Sequence, residues 1–171
     1  MKRVYGNLTV VVRPGTEAWI PPEGWFRTIG QNLDAPHGVA FHPRAERDRA
    51  WLKDHPSRRA PGGPFSWRAY TMGKRTRIFV DATETPESVK WVFLHELAHA
   101  KLNQLPKIAG ALRRMPRPES YATSDEAHES VPEEQVCNRV ADVLSQQMGG
   151  TPGLGRLWWR ARVRAISPNN R

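Results

Sequence analysis

The sequence predicts an α+β fold, a small antiparallel or mixed sheet packed on one long helix, and three observations carry that expectation. The β-branched run Leu8-Thr9-Val10-Val11-Val12 ends at Arg13-Pro14-Gly15, which reads as a strand closed by a turn. Residues 65 to 72 and 76 to 81 flank Gly73-Lys74-Arg75, the pattern of a β-hairpin with glycine in its turn. Thr85-Pro86-Glu87 then combines an N-cap, a first-position proline and an acid at the positive end of a helix dipole, and neither Gly nor Pro interrupts residues 87 to 105. That stretch reads as the long helix.

The 171 residues, 39% of them hydrophobic, suit a single domain over 1–171 with a sizeable core. Within it the sequence divides into an N-terminal strand and loop-rich part (1–64), a core (65–150) and a basic end (151–171). Lysine and arginine number 26 against 17 acids, a net charge of 26 − 17 = +9 that can attract nucleic acid, acidic proteins or anionic surfaces. The single cysteine, Cys137, excludes an intramolecular disulfide framework and suits a reducing compartment. Met1-Lys2-Arg3-Val4-Tyr5-Gly6-Asn7 breaks before any apolar run long enough for a secretory signal, and no stretch approaches a membrane span. The expectation is a soluble cytoplasmic protein with no membrane partner.

Taken in order, residues 13 to 38 carry frequent Pro and Gly with Trp19, Trp25 and Phe26, which reads as an irregular loop pinned by aromatics. A shorter helix is expected over residues 43 to 55, and residues 55 to 64, rich in Pro and Gly, read as loop. His37, His42 and His55 have no partner at ligand spacing, so structural or surface roles are expected for them. Either strand of the following hairpin is a candidate edge along which a peptide adds by main-chain hydrogen bonds.

The long helix holds His95-Glu96-x-x-His99. Positions i and i+4 lie on one helical face about one turn apart, so His95 and His99 can offer imidazole nitrogens to one zinc ion (Zn2+). Glu96 projects toward the same side, placed to take a proton from a water rather than to bind the metal. The alternative is a pair of ordinary histidines. In the apolar surroundings of Val92, Phe93 and Leu102, these would need other hydrogen-bond partners.

A catalytic zinc takes three protein ligands and one open position. A third histidine six residues beyond His99 is excluded, because that position is Leu105. The next helix start, Pro132-Glu133-Glu134, leads into an apolar stripe of Val136, Val140, Val143 and Leu144. Glu134 shares a small-residue face with Cys137, Asn138 and Ala141, from which a carboxylate can reach the metal, and Glu133 and His128 are the alternatives. The segment 106 to 131 reads as a polar connection. Tyr121 and His128 are its candidate donors to an oxyanion, and the connection itself is a candidate cover for the cleft.

His95-Glu96-Leu97-Ala98-His99-Ala100 followed by Glu134-Gln135-Val136-Cys137-Asn138-Arg139-Val140-Ala141-Asp142-Val143-Leu144 resembles the two motifs of the ImmA/IrrE-type zinc metallopeptidases, within the gluzincin group. The resemblance spans about residues 76 to 148 and implies a zincin-like fold with His95, His99 and Glu134 as metal ligands and Glu96 as general base. It also implies a protein or peptide substrate, with a regulatory protein as the analogy. This chain departs from the family pattern twice. No helix-turn-helix pattern precedes the motifs, and the connection between them is longer and more polar.

After Gly149-Gly150, a last helix is expected, with Leu154, Leu157, Trp158, Ala161 and Ala165 on one face and Arg156, Arg160 and Arg164 as a stripe. Its arginines are a candidate contact for nucleic acid or an acidic partner. The function expected is therefore zinc-dependent peptide-bond hydrolysis. Its competitors are a peptide-binding module of the same fold without turnover, and a basic nucleic-acid-binding protein.

Overall fold

The computed structural model describes residues 1–44, 69–81, 84–118 and 125–149. They form an α+β arrangement with a five-stranded mixed sheet and, among the described residues, five α-helices. The strands are β1 (Lys2–Tyr5), β2 (Leu8–Val12), β3 (His37–Pro43), β4 (Ala69–Met72) and β5 (Arg75–Val80). The helices are α1 (Glu23–Asn32), α2 (Pro86–Asn103), α3 (Pro106–Arg113), α4 (Asp125–Glu129) and α5 (Pro132–Gln147).

The strand order is β1-β2-β3-β5-β4. The outer pairs, β1 with β2 and β4 with β5, are antiparallel, as tight turns at Gly6 and Gly73 allow. The central pairs, β2 with β3 and β3 with β5, are parallel and need longer crossings. Helix α1 supplies the first of these. Alternation along the strands turns Leu8, Val10 and Val12 of β2, His37, Val39 and Phe41 of β3, and Thr76, Ile78 and Val80 of β5 to one face. Helices α1 and α2 meet over that face. Phe26 of α1 stands edge-on to Phe93 of α2 with ring centroids 5.4 Å apart, and Phe41 lies 6.3 Å from the first ring and 5.9 Å from the second.

The structure departs from three expectations. Residues 13 to 38 are no irregular loop: they contain a 3-10 turn (Glu17–Trp19), the whole of α1 and the start of β3. Gly24 and Gly30 make α1 a poor helix by intrinsic propensity, and it forms because Trp25, Phe26 and Ile29 dock on the core. A Cβ at Gly30 would fall 1.7 Å from Tyr5 O, so only glycine lets the helix backbone rest on the β1–β2 turn. The 106 to 131 connection likewise holds two helices, α3 and α4. The start expected for the 43 to 55 helix also differs, since Pro43 closes β3.

Helix α2 is the central element. Thr85 caps it by accepting from Ser88 N at 3.1 Å, and Pro86 occupies its first turn. Val89, Trp91, Val92, Phe93, Leu94, Leu97, Ala98 and Ala100 are all buried, so the helix is covered on most sides, by β4 and β5 and by α5. Trp91 Nε1 donates to Asp142 Oδ1 at 2.8 Å and ties α2 to α5. Among the described residues no helix is long and apolar enough to cross a membrane. The rest of the expected 43 to 55 helix, His55, the 55 to 64 loop, residues 65 to 68, Tyr121, and the C-terminal helix with Arg156, Arg160 and Arg164 lie outside the described residues.

Candidate metal centre

His95 and His99 stand one turn apart on α2, and the first turn of α5 brings Glu134 against them. The three contacts are equal: His95 Nε2 to His99 Nε2, His95 Nε2 to Glu134 Oε2 and His99 Nε2 to Glu134 Oε2 each measure 3.2 Å. Ligands arranged tetrahedrally at about 2.0 Å from a common centre are separated by about 3.3 Å, so the triangle has the dimensions of three corners of a zinc-type site. Two imidazole nitrogens and one carboxylate oxygen are also a donor set that such an ion takes. His95, His99 and Glu134 can therefore hold a metal ion.

The carboxylate and the imidazoles also interact electrostatically with one another. Burial opposes a charge on Glu134, but hydrogen bonds from His95 and His99 outweigh it and hold the carboxyl far below the usual carboxylate range. Burial likewise opposes protonation of His99, and bonds with Cys137, Glu133 and Glu134 overcome it, raising its pKa well above the ordinary 6.5. A cation at the triangle replaces that proton.

Glu133, the neighbouring candidate ligand, lies on the other nitrogen of the ring. Its Oε1 is 3.2 Å from His99 Nδ1, while Arg113 grips both of its oxygens, Nε to Oε2 at 2.8 Å and Nη2 to Oε1 at 2.9 Å. Arg113 first and His99 second hold the Glu133 carboxyl down to about 2. An ionised carboxylate there accepts from Nδ1–H and leaves Nε2 as the free lone pair, which selects the tautomer a metal needs. His95 is set differently. Trp91 stacks on its ring, with centroids 5.3 Å apart and planes 25° from parallel, and its Nδ1 is buried with no hydrogen-bond partner among the described residues.

His128 Nε2 comes within 3.6 Å of Glu134 Oε2 but is not part of the three-residue cluster. The cluster opens onto a cleft of about 350 Å3 whose wall includes Tyr70 and Thr71 of β4, Glu96, Arg113, Arg117 and His128. Glu96 is buried in that wall and accepts from Thr71 Oγ1 at 2.8 Å. Strand β4 is an outer strand, hydrogen-bonded to β5 among the described residues, whereas β5 lies inside the sheet between β3 and β4. Of the two hairpin strands expected as a peptide edge, β5 is paired on both sides and β4, among the described residues, on one.

His37 and His42, expected to be structural, are both buried in β3. His42 Nε2 accepts from Arg77 at 2.9 Å, and His37 Nε2 lies 2.8 Å from Thr76 Oγ1. The sequence reading passed over Thr71, Trp91 and the pairing of Arg113 with Glu133. Trp91 sits four residues before His95, a spacing that makes it legible as a ring neighbour. Nothing local marks the others. Compared with protein-family models, curated proteins and solved structures, the chain matches none of them.

Proposed function

We propose that this chain is a zinc-dependent metallopeptidase of zincin-like fold, related in design to the ImmA/IrrE-type enzymes, and that it hydrolyses peptide bonds in a protein or peptide substrate. The observation that carries the reading is the 3.2 Å triangle of His95, His99 and Glu134 opening on the same cleft as the Glu96 carboxylate. Zinc held by His95, His99 and Glu134 would supply Lewis acidity, enough to polarise a scissile carbonyl and to acidify an attacking water. Glu96 accepts a proton from that water as its oxygen bonds to the carbonyl carbon. The same carboxyl then delivers the proton to the nitrogen as the carbon–nitrogen bond breaks. Strand β4, paired on one side among the described residues, is where an extended substrate segment would align its main chain by strand addition. A single buried cysteine and the absence of a disulfide framework suit a reducing cytoplasm.

The test is digestion of fluorescein-labelled casein by the zinc-loaded chain beside Glu96→Gln. The wild type is expected to bind one zinc and cleave; Glu96→Gln is expected to bind one zinc and lose at least about a hundredfold in kcat. Cleavage retained by Glu96→Gln removes Glu96 from the role of base. Metal without cleavage in the wild type shifts the reading to a peptide-binding module.

A further inference from the structure

Glu96 is the end of a longer hydrogen-bonded chain. Thr71 Oγ1 is 2.8 Å from Glu96 Oε2, Thr76 Oγ1 is 2.6 Å from Thr71 Oγ1, and His37 Nε2 is 2.8 Å from Thr76 Oγ1. The three residues cross the helix-bearing face of the sheet through neighbouring strands: His37 opens β3, Thr76 lies on β5, and Thr71 is the direct partner of Thr76 on β4. Two of them are almost sealed from solvent, Thr76 at 1% exposure and His37 at 3%.

The sense of every bond in this chain is set from the carboxylate end. Thr71 Oγ1 donates toward Glu96, whose main-chain oxygen lies at 3.1 Å and Oε2 at 2.8 Å, so its single hydroxyl proton is used there. Between the two threonines the proton must then come from Thr76, and Thr76 in turn accepts from Nε2–H of His37. Burial lowers the His37 pKa to about 4, so the ring is neutral near pH 7 and has one N–H to give. The chain requires that N–H at Nε2. Without a donor behind it, the Thr71 hydroxyl is a rotor with two acceptors on Glu96, the carboxylate and the main-chain oxygen at 3.1 Å. A donor arriving from Thr76 occupies a lone pair of Thr71 and removes that freedom.

We propose that His37 is a positioning residue for Glu96, acting through Thr76 and Thr71 to hold the carboxylate in one orientation beside the metal cluster; the role in turnover rests on Glu96 being the base. Buried polar groups need partners whatever their function, so simple satisfaction explains any one of these bonds. It does not couple the tautomer of His37 to a residue it does not touch. Removing the Thr71 hydroxyl strands the Thr76 proton, whose remaining acceptor is His37 Nε2, and the imidazole proton must then move to Nδ1.

The experiment is long-range 1H–15N NMR of the histidine rings in the full chain near neutral pH, with and without zinc, for wild type, Thr71→Val and Thr71→Ser. Wild type and Thr71→Ser are expected to show His37 as the Nε2–H tautomer, and the isosteric Thr71→Val as Nδ1–H. On labelled casein, Thr71→Val is expected to lower kcat by about tenfold to a hundredfold with KM within about twofold and zinc content unchanged, and Thr71→Ser to restore it. An Nδ1–H tautomer in the wild type, or one that ignores Thr71→Val, overturns the chain. A tautomer shift with unaltered kcat overturns the positioning role. The expected tautomer shift on Thr71→Val, found together with a wild type that never cleaves, upholds the chain and overturns the peptidase reading instead.

Discussion

Glu133 and Glu134 are adjacent carboxylates with different partners in this structure, and exchanging them for neutral isosteres tests the roles proposed for them in the metal site. Glu134 Oε2 is one corner of the 3.2 Å triangle, whereas Glu133 meets His99 at Nδ1 and is clamped by Arg113 through two bonds of 2.8 and 2.9 Å. Lowering the Glu133 carboxyl from 4.5 to about 2 corresponds to at most about 3 kcal/mol of favourable interaction with its charged form, reduced by solvent around the half-exposed Arg113. Because the folded pKa is depressed, this contribution is complete above the ordinary carboxylate range and is lost as pH falls through about 2. In metal binding Glu133 acts only by orienting His99, so Glu133→Gln is expected to weaken zinc by about tenfold to a hundredfold, or about 1.4–2.8 kcal/mol. Glu134→Gln removes the proposed third ligand and is expected to cost at least about a thousandfold, about 4 kcal/mol. Competition against a chromophoric chelator at fixed pH measures both. Equal losses would refute the division of labour, and a greater loss in Glu133→Gln would make Glu133 the ligand.

Two further outcomes follow from the packing around the site. His37 is held neutral by burial, with its pKa lowered from 6.5 to about 4, so protons bind the unfolded chain first as pH falls below 6.5. The stability advantage of wild type over His37→Asn, measured by urea unfolding, is therefore expected to shrink by up to about 3 kcal/mol between those pH values, and a constant gap would contradict a neutral buried ring. Gly30→Ala would set a Cβ 1.7 Å from Tyr5 O and displace the 2.9 Å bond from Asn7 N to Gly30 O. A loss of at least about 2 kcal/mol in urea unfolding is expected, and a neutral result would mean that α1 does not rest on the β1–β2 turn.

The parts legible in the sequence are those whose cause is local. Thr85, Pro86 and Glu87 mark the start of α2 because a cap, a proline and an acid act within one turn, and the spacing of His95 and His99 aligns them on any α-helix. Pro132 announces α5 for the same reason. Helix α1 and strand β3 were hidden because their stability comes from elsewhere. Trp25 and Phe26 hold a glycine-containing helix through contacts with Tyr5, Phe41 and Phe93, and β3, bounded by Pro36 and Pro43, is a strand because β2 and β5 pair with it on both sides. The polar 106 to 131 stretch conceals α3, whose Arg113 matters only once Glu133 arrives beside it.

The sequence by itself determined that two imidazoles and a carboxylate share one helix, and that a second helix carries acids at its first turn. Which of those acids meets the imidazoles was decided by tertiary structure, since consecutive helical residues point about 100° apart and only the crossing of α2 with α5 selects Glu134. The chain from His37 to Glu96 is wholly of that second kind: its members lie 39, 5 and 25 residues apart along the sequence, and the pairing of β3, β5 and β4 beneath α2 brings their polar atoms within hydrogen-bond distance.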